Sequence, residues 1–166
     1  MSVTTKLART LLLGGATVAM TVGLASAPAQ AATGMSAHLT IQKENNENAC
    51  WVGTEGLIPM NQYDAQGYIN NGAKMELRIY GDDPSYDNLQ YGPYFNGGST
   101  AGGSAQFYAA ADGIHFFRTV RISCGYLNED NGWYEGSGDE IYVNAKFIDG
   151  DGGVRQVNTN VVKGTF

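Results

Sequence analysis

The sequence has only two histidines, His38 and His115, and neither lies in a Gly-x-Ser-x-Gly or similar nucleophile setting. That argues against a serine hydrolase. The cysteines also number two, Cys50 and Cys124, and with separated histidines they do not make a zinc site. Basic residues are scarce: ten Lys and Arg stand against 16 Asp and Glu, a formal charge of −6. A chain this acidic repels phosphate backbones, so nucleic acid is not an expected partner. No stretch shows a 3.6-residue apolar period, which argues against a helical bundle. There are four prolines, 23 glycines and ten tyrosines, a composition that suits strands joined by turns.

One apolar run stands out. Lys6 and Arg9 precede an uncharged stretch from Thr10 to Ala25, dominated by Leu11, Leu12, Leu13, Val18, Met20, Val22 and Leu24. Ser26-Ala27-Pro28-Ala29-Gln30-Ala31 follows. A positive head, an apolar middle and an Ala-x-Ala exit predict a cleavable secretory signal over 1–31. The run is shorter than the roughly 20 residues a spanning helix needs. No lipid-anchor cysteine lies near the cleavage point, so the expected product is a secreted, extracellular protein with no stable membrane insertion. The working domain is then 32–166, about 135 residues, enough for one core. Its formal charge deepens to −8, because Lys6 and Arg9 leave with the signal.

Export favours a bond between Cys50 and Cys124. The mature chain reads as all-β, a single antiparallel β-sandwich of about seven strands. Alternation marks strands at 36–43, 74–80 and 139–148. A further strand is expected over 113–124, where Arg118 interrupts an apolar parity and suggests a bulge or a strand end. Shorter strands are expected at 49–53 and 105–110, and a last one from 154 to 166. Two long loops remain, 81–104 and 125–138. A Cys50–Cys124 bond would staple the two sheets, with Trp51 or a neighbour beside it, an arrangement that resembles immunoglobulin-type sandwiches without their spacing.

The acids cluster in loops. If strands alternate up and down, Asp82, Asp83, Asp87, Glu129, Asp130 and Asp139 gather at one pole, while Asp149 and Asp151 lie at the other. Asp149-Gly150-Asp151-Gly152-Gly153 lacks the ligand set of an EF-hand, and Asp-Gly between alternating strands predicts a hairpin instead. Six carboxylates at one pole repel one another, and Ca²⁺ would relieve that repulsion. The run Leu77-Arg78-Ile79-Tyr80-Gly81-Asp82-Asp83-Pro84-Ser85-Tyr86-Asp87-Asn88-Leu89 resembles a calcium loop of C2 domains. It departs from that family in the tight spacing of its acids, and Gly81 or Tyr80 stands where an aspartate is usual. The resemblance implies a Ca²⁺-dependent binding module with those six acids as ligands. Trp133 and Tyr134, on the second long loop, are candidate contacts to an extracellular glycan or protein. The alternatives are an exported inhibitor whose loop 125–138 enters a hydrolase cleft, and a small glycan-active hydrolase using paired carboxylates.

Overall fold

A computed structural model describes residues 34–45, 48–82, 87–95, 105–128 and 138–166. The order of elements is β1 (Ser36–Lys43), β2 (Ala49–Pro59), α1 (Gln62–Asn70), β3 (Lys74–Gly81), β4 (Asn88–Tyr94), β5 (Ala105–Ala110), β6 (Gly113–Ser123), a single 3₁₀ turn (Cys124–Tyr126), β7 (Asp139–Ile148), β8 (Val154–Asn158) and β9 (Val162–Gly164). One sheet runs β1-β2-β6-β5; the other runs β4-β3-β7-β8, with β9 also on β7. We call them the first and second sheet. All the pairings are antiparallel. The architecture is the expected all-β sandwich.

Strand alternation builds the core. Leu39, Val52, Ile58, Phe107, Ile114, Phe116 and Ile122 point inward from the first sheet and are buried. Met75, Leu77, Ile79, Ile141, Val143, Ala145 and Phe147 do the same from the second. Burying each large aliphatic or aromatic side chain contributes roughly 1.5–3 kcal/mol, so the two stripes hold the sheets face to face. One polar link crosses the core: Thr54 Oγ1 on β2 lies 3.3 Å from the Tyr94 hydroxyl on β4. Burial pushes the Tyr94 phenol up to about 12.

Several expectations need correction. Among the described residues nine strands form, against the roughly seven expected. β4 lies inside the stretch expected to be the loop 81–104, and the C-terminal strand divides into β8 and β9. The division has a local cause. Thr159 takes over the ladder, its backbone N–H donating to Val143 O and its Oγ1 accepting from Val143 N, both at 2.9 Å. Asn160 then turns to the other sheet, accepting from Leu39 N at 2.8 Å and donating to Leu39 O at 3.2 Å. The chain thus caps the edge strand β1 before returning to β7 as β9.

The helix α1 was not legible by period, because only Ala65 among its residues is buried. Its capping signal was present: Asn61 Oδ1 accepts from Asp64 N at 2.9 Å, and Asn61 Nδ2 donates to Asp64 Oδ2 at 2.7 Å. No bulge occurs at Arg118, since the β2–β6 register runs unbroken from Ala49–Ser123 to Pro59–Gly113. Arg118 marks instead the end of the pairing with β5, opposite Ala105, and its guanidinium lies over the Phe95 ring at 5.8 Å. The register shifts occur between β3 and β4, around Leu77 to Tyr80.

Cys50 and Cys124 are bonded, with Cα atoms 5.0 Å apart. The bond does not join the two sheets. Cys50 lies on β2 opposite Ile122, and Cys124 immediately follows β6, so the bridge closes the end of the β2–β6 ladder within the first sheet. Trp51 points to solvent from the opposite face, and its Nε1 donates to Glu44 Oε1 at 3.4 Å.

Candidate functional site

The up-and-down ordering of strands sets the poles. Gly81 pairs with Ile141 and Lys74 with Ile148, so the end of β3 and the start of β7 lie together. At the far pole Asp149 shapes the β7–β8 hairpin, its Oδ1 accepting from Gly153 N at 2.6 Å and Asp151 N at 3.0 Å. That carboxylate is committed to the turn.

At the near pole, Asp82 N donates to Glu140 O at 2.7 Å. Asp87 Oδ2 accepts from the Tyr142 hydroxyl at 2.7 Å, and the Tyr142 ring stacks on Tyr80 at 5.4 Å. Burial, then the Asp87 carboxylate, pushes the Tyr142 phenol well above its usual range. Glu140 pairs with Lys163 and holds its ammonium above the ordinary lysine value. Alternation turns Asp139 the other way. It is 4% exposed on the core side of β7, and its Oδ2 accepts from Phe166 N at 3.4 Å. Asp139 therefore faces the core side, whereas Glu140 and Tyr142 face outward. Among the described residues no three His, Cys, Asp or Glu side chains come together as metal ligands. Asp83, Glu129, Asp130, Trp133 and Tyr134 lie outside the described residues.

A different site emerges on the outer face of the first sheet. Register places His38, Glu55, Phe117 and Gln106 in one row across β1, β2, β6 and β5. The next row is Ser36, Leu57, His115 and Tyr108. These residues line a groove of ≈ 570 Å³. Both histidines of the chain face it. Such volumes are typical of small-ligand sites.

The groove's aromatic end is fixed in place. Tyr108 stacks on His115 at 5.4 Å with planes 13° apart. His115 Nε2 lies 2.7 Å from Asp112 Oδ1, and that contact holds the Asp112 carboxyl below its usual range. Asp112 is held in turn by the tight β5–β6 turn. Its carbonyl accepts from Met60 N at 3.2 Å, and the next residue, Gly113, has φ +146° with Ile58 O only 2.2 Å from where a Cβ would sit. Only glycine fits there. Gly56 is the other tight point, since a Cβ on it would meet Ser36 O at 2.2 Å and the Phe116 ring at 2.3 Å.

At the polar end, the carboxylate of Glu55 and the side chains of His38 and Gln106 have no hydrogen-bond or ion-pair partner among the described residues. The outer face of the second sheet differs. Its groove of ≈ 400 Å³ is lined by polar groups that largely engage one another. Arg78 pairs with Glu76 at 2.8 Å, Asn144 Nδ2 donates to Asn158 Oδ1 at 2.8 Å, and Tyr142 is held by Asp87.

Two pairings that hydrolysis could use are set apart in the first-sheet groove. Ser36 and His115 share a row, but Leu57 on β2 separates them. Two strand spacings put their backbones roughly 9.6 Å apart, beyond the reach of a nucleophile–base hydrogen bond. Glu55 lies opposite Phe117, five residues along the strand from Asp112. That separates the two backbones by roughly 16 Å, and the Asp112 carboxylate is engaged by His115.

Sequence reasoning put His115 on the face away from Ile114 and Phe116, and that is where it lies. It missed the convergence of His38, Glu55, Gln106 and Tyr108, because only the register of four strands brings them together. The chain matches no protein-family model, no curated protein and no solved structure at a significant level.

Proposed function

We propose that this protein is a secreted, non-catalytic binding module that takes a glycan in the groove on the outer face of the first sheet. The observation that carries the reading is the groove's composition. Exposed aromatic surface at Tyr108 and half-buried Phe117 adjoin uncommitted polar groups on His38, Glu55 and Gln106. A sugar ring needs both: an apolar face to stack on, and acceptors and donors for its hydroxyls. Among the described residues, most polar groups on the second sheet's outer face engage one another, with Lys146 and Gln156 the exceptions.

The test is a binding titration against an oligosaccharide panel, using the Tyr108→Ala variant for comparison. Loss of the stacking surface should weaken binding about tenfold, since aromatic contacts contribute about 0.5–1.5 kcal/mol beyond area burial. A full set of titrations without binding, or binding untouched by Tyr108→Ala, refutes the reading.

The calcium-dependent form of this proposal needs ligands beyond those described. Asp139 faces the core, apart from the outward Glu140 and Tyr142, and Asp87 is already engaged by Tyr142. Asp82, Asp139 and Asp87 do not by themselves fit one cation. Calcium dependence would rest on Asp83, Glu129 and Asp130, and a melting experiment tests it.

A further inference from the structure

We infer that the groove selects an amine-bearing sugar, a 2-amino-2-deoxyhexose oligomer, over a neutral or acidic one; this rests on the glycan reading of the same groove. Among the described residues that line it, Glu55 is the one carboxylate, and the basic side chains are the imidazoles of His38 and His115, with no Lys or Arg. Glu55 sits mid-row between His38 on β1 and Phe117 on β6, and no described residue neutralises it. An acidic sugar would meet that charge unfavourably. A neutral sugar gains hydrogen bonds but no ion pair. A protonated amine gains the carboxylate and the neighbouring aromatic face at once.

The remaining charge favours the same class. Asp112, at the aromatic end, bears on His115, and its carboxyl is held ionised to lower pH than usual. The whole chain carries −6, which draws a cationic oligomer toward the surface and makes the encounter salt-dependent. Net charge does not by itself choose a groove, so the test must separate local from global attraction.

The experiment is calorimetric titration of the full mature chain with tetramers of glucosamine, N-acetylglucosamine and glucose, at pH 7 and two salt concentrations. The glucosamine tetramer should bind about tenfold tighter than the other two, the combined effect of an exposed ion pair and a cation–π contact. Glu55→Gln should abolish that preference, bringing the glucosamine tetramer to the affinity that the same variant shows for the other two. Asp151→Asn removes the same charge from the far hairpin and should keep the preference. Equal binding of all three tetramers overturns the amine selectivity while leaving glycan binding intact. An equal loss in Glu55→Gln and Asp151→Asn also overturns it, because the attraction is then non-specific. Binding of none of the three overturns both readings.

Discussion

Reducing the Cys50–Cys124 bond should lower stability by about 4.5 kcal/mol. The figure follows from geometry on the chain: the bond spans a sequence separation of 74, and closing a loop of that length removes roughly 15 cal/mol/K from the unfolded ensemble. The native state contributes little to the difference. Cys50 and Cys124 sit at the end of an existing ladder, where Ala49 pairs with Ser123 and Cys124 N reaches Asn48 O at 3.4 Å. The two strands stay paired whether or not the sulfurs are joined. For a domain of about 135 residues, an unfolding entropy near 2.1 cal/mol/K per residue converts the loss to a melting temperature about 16 °C lower. The assay is urea unfolding by far-UV circular dichroism, oxidised against reduced, with both thiols kept in place. Native-state hydrogen exchange adds a second readout. The amides of β2 and β6 should lose protection in step with every other core amide, because the effect lies in the unfolded chain. A stability change under about 1 kcal/mol would refute the loop-closure argument. Protection lost specifically between the sheets would refute the placement of the bond within one sheet.

Four further outcomes are expected. Thr54→Val should destabilise by about 1–3 kcal/mol in chemical denaturation, since it leaves the Tyr94 hydroxyl without its partner in the core. Tyr94 also sets a pH limit. Its folded pKa of about 12 lies above the ordinary 10, so its contribution is full below pH 10 and is lost as pH rises from 10 through 12. Tyr94→Phe should flatten that decline, and an unchanged slope would count against it. Asn160→Ala should cost about 1–3 kcal/mol and expose the Leu39 amide to exchange, because both backbone groups of Leu39 rely on that side chain. Finally, calcium at the acid pole predicts a melting temperature that rises with added Ca²⁺ and falls with EDTA. An unchanged melt removes the metal from the proposal.

Local pattern was informative wherever the chain's own alternation governs burial. Met75, Leu77 and Ile79, like Ile141, Val143, Ala145 and Phe147, point into the core as their parity requires. The Asp149 hairpin and the pairing of the cysteines were legible too, one from turn chemistry and the other from expected compartment. β4 was missed because it is a short edge strand, holds Gly92 and Pro93, and pairs with β3 through register shifts. α1 was missed because it buries one residue and so presents no apolar stripe.

From sequence alone came the fold class, the acid excess, the inward stripes of the strands and the expectation of one bridge. Those depend on residue type and on a period of two, which a single chain displays by itself. Tertiary structure alone decided which strands are neighbours. It set the bridge inside one sheet, turned Asp139 inward beside outward-facing Glu140, and lined His38, Glu55, Phe117 and Gln106 across four strands. Register is a relation between segments far apart in sequence, and antiparallel pairing fixes it only when the sheets assemble.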